Sequence, residues 1–144
     1  MKRLLFIGFL LLQIFGACTN RSDANTETAE NDVDAARNFI RAALDNDFEK
    51  ARMYVISDSI NNQYLDLAKQ SRANLSKGEN VKYKNASIRI YDTRKLTDSV
   101  SIIIYANSFK NKKDSLKVVR ENNKWLIDLK YSFMPALDTT HHGQ

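Results

Sequence analysis

The spacing of hydrophobic residues changes once along the chain, and the change separates predicted helices from a predicted sheet. Between residues 33 and 75, apolar side chains recur every three or four positions, which is the spacing of one helix face. This pattern predicts three helices, over residues 33–44, 48–55 and 58–75. Lys77-Gly78 suits the end of the third helix. Polar residues that favour helix N-termini precede all three helices. The predicted N-caps are Asp32, Asp47 and Ser57.

From residue 81 onward the hydrophobic period is two, which predicts strands. Their ranges are 81–91, 99–109, 115–121 and 124–133. The first strand keeps one phase only with a β-bulge near Asn85, and the second is apolar on both faces, as expected of a central strand. The connections are too short for crossover helices, so we expect an antiparallel meander with a tight turn at Asn122-Asn123. The predicted fold class is therefore α+β.

The first eighteen residues have the pattern of an export signal. Lys2 and Arg3 precede a 14-residue stretch, 4–17, that is apolar except for Gln13. As a helix this stretch would be about 21 Å long, against a hydrocarbon core of about 30 Å, so it is too short to span a membrane comfortably. We predict that residues 1–17 are a cleaved signal peptide.

The residues before Cys18 resemble the lipobox of bacterial lipoproteins. Gly16-Ala17 places small residues directly before the single cysteine of the chain, with Phe15 where leucine is usual. The resemblance implies that the Cys18 thiol receives a diacylglycerol and that two or three acyl chains anchor the protein to a membrane, which is enough for stable binding. Thr19 in place of an aspartate implies sorting to the outer membrane, by analogy with such lipoproteins. The other interpretation is a secreted protein with an incidental cysteine.

Polar segments flank the predicted domain, residues 33–133. Residues 19–32 contain four acidic residues and one basic residue and no large apolar side chain, so we expect residues 18–32 to form the lipidated cysteine and a flexible tether. Residues 134–144 are expected to be a flexible tail. Without residues 1–17 the chain carries 20 basic and 17 acidic residues, a net charge of +3. With Cys18 lipidated, no thiol is left for a disulfide or a cysteine metal site.

The order of predicted elements, three helices and then four antiparallel strands, is similar to that of the NTF2-like (cystatin-like, SnoaL-like) fold. Residues 39–51 (FIRAALDNDFEKA) resemble the helix–turn–helix of DUF4878-type lipoprotein domains, and residues 118–128 (VVRENNKWLID) resemble their last hairpin. The resemblance implies helices packed on a curved sheet that forms a cone. It implies no particular activity, because NTF2-like domains include isomerases, hydrolases and members that only bind or scaffold.

Four aromatic residues are candidates for the lining of a ligand pocket inside such a cone. They are Tyr64, Tyr83, Tyr105 and Trp125. Aromatic residues at these spacings also form ordinary hydrophobic cores, and both interpretations stay open.

Enzymes of the resembled fold place an acid, a histidine or a tyrosine inside the cone. Both histidines, His141 and His142, fall in the predicted tail, where no third ligand completes a metal site. Asp66 and Asp128 lie between apolar neighbours and are the acids that an enzyme would use together with a tyrosine, although each can equally point outward. We predict no catalytic residue, metal or cofactor, and we expect a role other than catalysis.

An aspartate followed by a hydroxyl residue recurs in the chain and resembles the O-glycosylation acceptor of exported proteins in Bacteroidetes-type bacteria. The candidate acceptors are Ser59, Ser99, Ser115 and Thr139. The alternative is that Asp-Ser pairs simply suit helix caps and strand starts.

Residues 77–131 carry 13 basic and six acidic side chains. A basic face fits anionic glycans or lipid headgroups, or it consists of solvated lysines that prevent edge-to-edge strand pairing. Nucleic acid is not an expected partner of an exported protein.

The resulting hypothesis is a cell-envelope lipoprotein whose domain binds a small ligand or an envelope protein. The alternatives are an isomerase- or hydrolase-type enzyme and a structural assembly subunit.

Overall fold

A computed structural model describes residues 28–133 of the protein. In chain order its elements are α1 (Asp32–Leu44), α2 (Phe48–Arg52), α3 (Ser59–Ala73), α4 (Lys77–Lys84), β1 (Ile88–Thr97), β2 (Val100–Asn107), β3 (Asp114–Glu121), β4 (Lys124–Asp128) and α5 (Leu129–Phe133). The strands are antiparallel and pair in the order β1-β2-β3-β4, which confirms the predicted α+β class and the meander. The predicted signal peptide, most of the tether and the tail lie outside the described residues.

A short helix replaces the beginning of the predicted first strand. Because α4 occupies Lys77–Lys84, four helices of the described range precede the sheet, rather than three. Ser76 and Glu79 form a capping box: the N–H of Glu79 donates to the Ser76 hydroxyl at 3.2 Å, and the N–H of Ser76 donates to the Glu79 carboxylate at 3.0 Å. This motif starts a helix where the alternation of Val81 and Tyr83 indicated a strand.

The predicted β-bulge near Asn85 is therefore wrong, because Asn85 is the C-cap of α4. Register shifts do occur in β1, but they lie between Ile90 and Asp92 and between Lys95 and Thr97. The irregularities thus lie within β1 itself and not ahead of its first residue, Ile88.

Two of the three predicted N-caps are displaced by one residue. Asn31 caps α1, Asp47 caps α2 as predicted, and Asp58, the residue after the predicted cap, caps α3. Asp32 lies inside α1 instead, where it is buried and accepts a hydrogen bond from the Ser101 hydroxyl of β2. This bond fixes the start of α1 on the sheet.

The chain leaves β4 earlier than predicted, because α5 begins at Leu129. The outer edge of β4 is covered by the segment after α2. The Ile127 N–H donates to the Tyr54 carbonyl at 2.7 Å, and the Ile56 N–H donates to the Ile127 carbonyl at 3.0 Å. This short pairing protects an edge that would otherwise be open to another chain.

Strand β2 lies in the interior of the sheet, as its apolar sequence predicts. Its neighbours Ile102 and Ile103 point to opposite faces and are both buried. The turn between β3 and β4 also follows the prediction, because Asn122 and Asn123 adopt φ values of 48° and 61°.

Helix α1 packs against all four strands, and the main core lies between the helices and this face of the sheet. Ile103 pairs with Leu116 and Tyr105 pairs with Asp114 across β2 and β3, so all four side chains point to the helix side. Ala35 is among the fully buried alanines through which α1 approaches closely.

Arg41 fastens α1 to the junction between α4 and β1. Its guanidinium donates to the carbonyl oxygens of Ala86 at 2.8 Å and Lys84 at 2.9 Å, and it pairs with Asp45 one turn along the helix. Every nitrogen of this guanidinium has a partner, which makes Arg41 a structural anchor.

Candidate ligand-binding cavity

A cavity of about 530 Å³ lies between α1, α3 and the helix-facing side of β2 and β3. Its exposed lining residues come from α3, from the connection between β2 and β3 and from Asp114 at the start of β3, and they form its mouth. Its volume falls within the range of about 300–1,000 Å³ that is usual for small-molecule sites. The floor is apolar and consists of buried residues: Phe39, Ile40, Leu44, Phe48, Leu65, Leu116 and Leu129.

Arg72 of α3 contributes a buried cation to the wall of this cavity. The residue is only 8% exposed. Its Nη2 donates to the Leu44 carbonyl at 3.0 Å, and its guanidinium carbon lies 4.2 Å from the centre of the Tyr83 ring. Its Nε and Nη1 atoms have no hydrogen-bond partner, and no carboxylate of residues 28–133 forms an ion pair with it. Removal from water lowers the pKa of the guanidinium, as expected of a cation without a counterion.

The buried face of α3 explains why an arginine occupies this position. Its buried residues are Asn61, Leu65 and Arg72, which share one side of the helix. Helical spacing alone predicts an apolar stripe on this helix that contains Ile60, Tyr64 and Leu67. The buried side is rotated from that stripe by about one residue, so Ile60 and Leu67 are about half exposed, at 48% each. Two of the three inward positions are thus polar, a pattern that hydrophobic periodicity does not detect.

Asn61 differs from Arg72 because its polar atoms are satisfied. Its amide oxygen accepts from the Leu129 N–H at 2.7 Å, and its amide nitrogen donates to the Asp58 carboxylate at 2.8 Å. Asn61 therefore holds the start of α3 against the start of α5, which is a structural task.

Tyr105 and Asp114 form a polar pair on the opposite wall of the cavity. They are directly opposite in β2 and β3, and the Asp114 carboxylate is near enough to the Tyr105 hydroxyl to act on its pKa. Burial, followed by the charge and the hydrogen bond of Asp114, raises the pKa of the Tyr105 hydroxyl. Tyr105 therefore stays a neutral hydroxyl at physiological pH.

The mouth of the cavity is basic. Lys110, Lys112 and Lys113 are exposed lining residues, and none of them pairs with an acid among the residues that the structure describes. Together with Arg72 they give the lining four cations against one carboxylate, that of Asp114. The net positive charge favours anions over cations at this site.

Two of the four aromatic candidates from the sequence, Tyr83 and Tyr105, line the cavity. Tyr64 and Trp125 are half-buried, pack against the main core and are not lining residues. Sequence reasoning did not identify Arg72, Asp114 or the lysines of the β2–β3 connection.

The acids that an enzyme was expected to use lie away from the cavity. Asp66 is on the exposed side of α3, where it pairs with Arg52 at 2.7 Å. Asp128 is buried, but its carboxylate faces Lys117 at 3.4 Å and Lys130 at 3.8 Å. The cavity carboxylate is that of Asp114 instead.

The predicted modification sites are only partly described. Ser59 and Ser99 are exposed, in the first turn of α3 and in the turn before β2, whereas Ser115 is half-buried in β3. Cys18 and Thr139 lie outside residues 28–133, as do both histidines.

Within residues 28–133 no cluster of acids, histidines or cysteines could hold a metal ion, and no helix has the length and apolar character needed to cross a bilayer.

Comparison with protein-family models, with curated proteins and with solved structures found no match to this chain. The NTF2-like and lipoprotein resemblances therefore stay predictions.

Proposed function

We propose that the protein is a cell-envelope lipoprotein that binds a small molecule in the cavity between its helices and its sheet. Acyl chains on Cys18 hold it in the outer membrane, and residues 33–133 form an NTF2-like domain that serves as a binding module. The cavity carries this proposal, because an apolar floor with a few converging polar groups is the usual composition of a ligand site.

The chemistry of the wall favours binding over catalysis as the main role. The charged groups that line the cavity are four cations and one exposed carboxylate, the buried wall adds the neutral Tyr105 hydroxyl, and residues 28–133 contain no histidine. Such groups orient and select a ligand without needing to move a proton.

Cavity-filling substitutions test the binding role. Ala68 of α3 lines the cavity, whereas Ala73 at the end of the same helix is exposed and does not. The full chain in lipid nanodiscs, with empty nanodiscs as the blank, is screened against a fragment library by ligand-detected NMR. We expect fragments that bind the wild type and the Ala73→Phe control and are lost from Ala68→Phe. A library in which no fragment distinguishes the two variants contradicts the proposal.

Metabolic labelling with clickable palmitate tests the anchor. We expect label on the wild-type protein and none on Cys18→Ser. An unlabelled wild type, or equal labelling of both proteins, refutes lipid attachment at Cys18 without bearing on the cavity.

The second candidate function is an isomerase- or hydrolase-type enzyme, which the Tyr105–Asp114 pair in the cavity wall favours. Such an enzyme would use Asp114 rather than Asp66 or Asp128. Turnover of a panel of activated esters and β,γ-unsaturated ketones, lost in both Tyr105→Phe and Asp114→Asn, would establish this function instead.

No observation favours the third alternative, an assembly subunit with an exposed apolar sheet face. Among the described residues, the large exposed apolar side chains lie on or beside the helices or on β1, and none is on β2, β3 or β4. They are Met53, Ile60, Leu67, Val81, Tyr91, Leu96 and Tyr131.

A further inference from the structure

We propose that Arg72 makes the cavity selective for small amphiphilic anions, meaning molecules with a carboxylate or similar anionic group on an apolar body. The inference rests on the proposed function, because it names the class of ligand that the cavity takes. It starts from a guanidinium that is nine-tenths buried, lines the cavity and has two donors without partners.

A buried cation without a counterion is an exception among folded proteins. Buried charges are normally paired, and unsatisfied buried donors are rare enough that each one requires a physical explanation. Even Arg41, whose side chain is 37% exposed, has two carbonyls and Asp45 around its guanidinium. Arg72 has one carbonyl and the face of Tyr83. An anionic ligand would supply the partner that the protein lacks.

The rest of the cavity fits the remainder of such a ligand. The seven buried apolar residues of the floor accept an apolar body, and the Tyr105 hydroxyl offers a neutral polar contact on the opposite wall. The three lysines at the mouth attract an anion toward the cavity and disfavour a cation. Guanidinium groups suit carboxylate and phosphate oxygens because they donate several charge-assisted hydrogen bonds from one plane.

The ligand must also reach the unpartnered donors. Nε and Nη1 are covered by protein atoms, so an anion contacts them only after a small shift of the side chain. One hydrogen bond and the ring of Tyr83 hold Arg72, and Tyr83 is itself a lining residue of the short helix α4. We infer that the Arg72–Tyr83 stack moves toward the cavity when an anion binds.

Matched probes of one shape and different charge test the selectivity. The full chain in lipid nanodiscs is dialysed to equilibrium against 2-naphthoate, 2-naphthamide and 2-naphthylmethylammonium, with empty nanodiscs as the blank. The variants are Arg72→Met and the control Arg89→Met, since Arg89 also lies over a tyrosine ring, 5.1 Å from the centre of Tyr91, but outside the cavity.

We expect the wild type and Arg89→Met to bind 2-naphthoate at least about 10-fold more tightly than 2-naphthamide, and the ammonium least tightly, a difference that corresponds to about 1.4 kcal/mol. Arg72→Met should lose this preference and keep its affinity for 2-naphthamide. Equal binding of acid and amide by the wild type overturns the anion selectivity while the cavity stands. A preference that survives in Arg72→Met overturns the role of Arg72. Binding of none of the probes contradicts the proposed function itself.

A second measurement keeps the test decisive if Arg72→Met does not fold. The Nε–H signal of Arg72 in the wild type, assigned by its absence from Arg72→Lys, is followed by ¹⁵N NMR during titration. We expect a saturable shift with 2-naphthoate and none with 2-naphthamide. An unmoved signal at saturating 2-naphthoate overturns the proposal.

Discussion

Replacing Arg72 by methionine should change the stability of the fold very little, although the residue is buried. The substitution loses a hydrogen bond from a charged donor to Leu44, which contributes about 1.5–3 kcal/mol, and the contact with Tyr83, which contributes about 2 kcal/mol in a desolvated setting. It also removes two unpartnered buried donors, each of which destabilises the fold by about 1–3 kcal/mol. The opposing terms are similar in size, so the free energy of unfolding should stay within about 2 kcal/mol of the wild type.

Arg41→Met is the matched comparison, because it removes a guanidinium whose nitrogens all have partners. We expect it to lower the free energy of unfolding by about 2–4 kcal/mol, since hydrogen bonds to two backbone carbonyls are lost with no orphan donor relieved. Urea unfolding reports both values through the fluorescence of Trp125, the single tryptophan of the chain, which packs against the core. If Arg72→Met lowers the free energy of unfolding by more than about 3 kcal/mol, the loss is as large as that for breaking a buried charge pair whose groups are all satisfied. That result would refute the reasoning.

Three further predictions concern structural residues. Asn61→Ala should lower the free energy of unfolding by about 2–4 kcal/mol, because it leaves the buried Leu129 N–H without its acceptor; a urea midpoint equal to the wild type contradicts this. The hydrogen bonds from Asn61 and Lys130 lower the pKa of Asp58 from its ordinary 3.8 to about 2. Its stabilising effect is thus present above pH 3.8 and lost as the pH falls through about 2, so the stability difference between wild type and Asp58→Asn should shrink over that interval and stay constant from pH 5 to 7. Asn123 has a φ of 61°, so Asn123→Val should lower the melting temperature while Asn123→Gly does not, and equal melting of the two variants argues against strain at this turn.

The order of helices and strands could be predicted from the sequence wherever hydrophobic periodicity and local chemistry agree. Strand β2 is apolar on both faces, and the Asn122-Asn123 pair suits positive φ, so the meander was predictable. Periodicity and local chemistry disagree at α4, where Val81 and Tyr83 alternate like strand residues while the capping box at Ser76 starts a helix. The local motif prevailed there because it satisfies backbone donors that a strand would have left to distant partners.

The cavity was harder to predict, because its walls come from segments far apart in the chain. Tyr83 and Tyr105 were candidates on account of their aromatic character. Arg72 was not, because a single arginine on a helix with many polar residues is usually solvated. Only the packing of α3 against Leu44 and Tyr83 makes it a buried cation. The nearest sequence signal is its spacing from Leu65, seven residues earlier on the same helix face.

The most direct test of the account is a crystal structure of the protein soaked with 2-naphthoate. We expect the ring system among Phe39, Leu44 and Leu65, with a carboxylate oxygen within about 3.2 Å of an Arg72 nitrogen. A naphthoate bound only to the surface lysines, or a ring in the cavity with its carboxylate turned away from Arg72, would contradict the central claim.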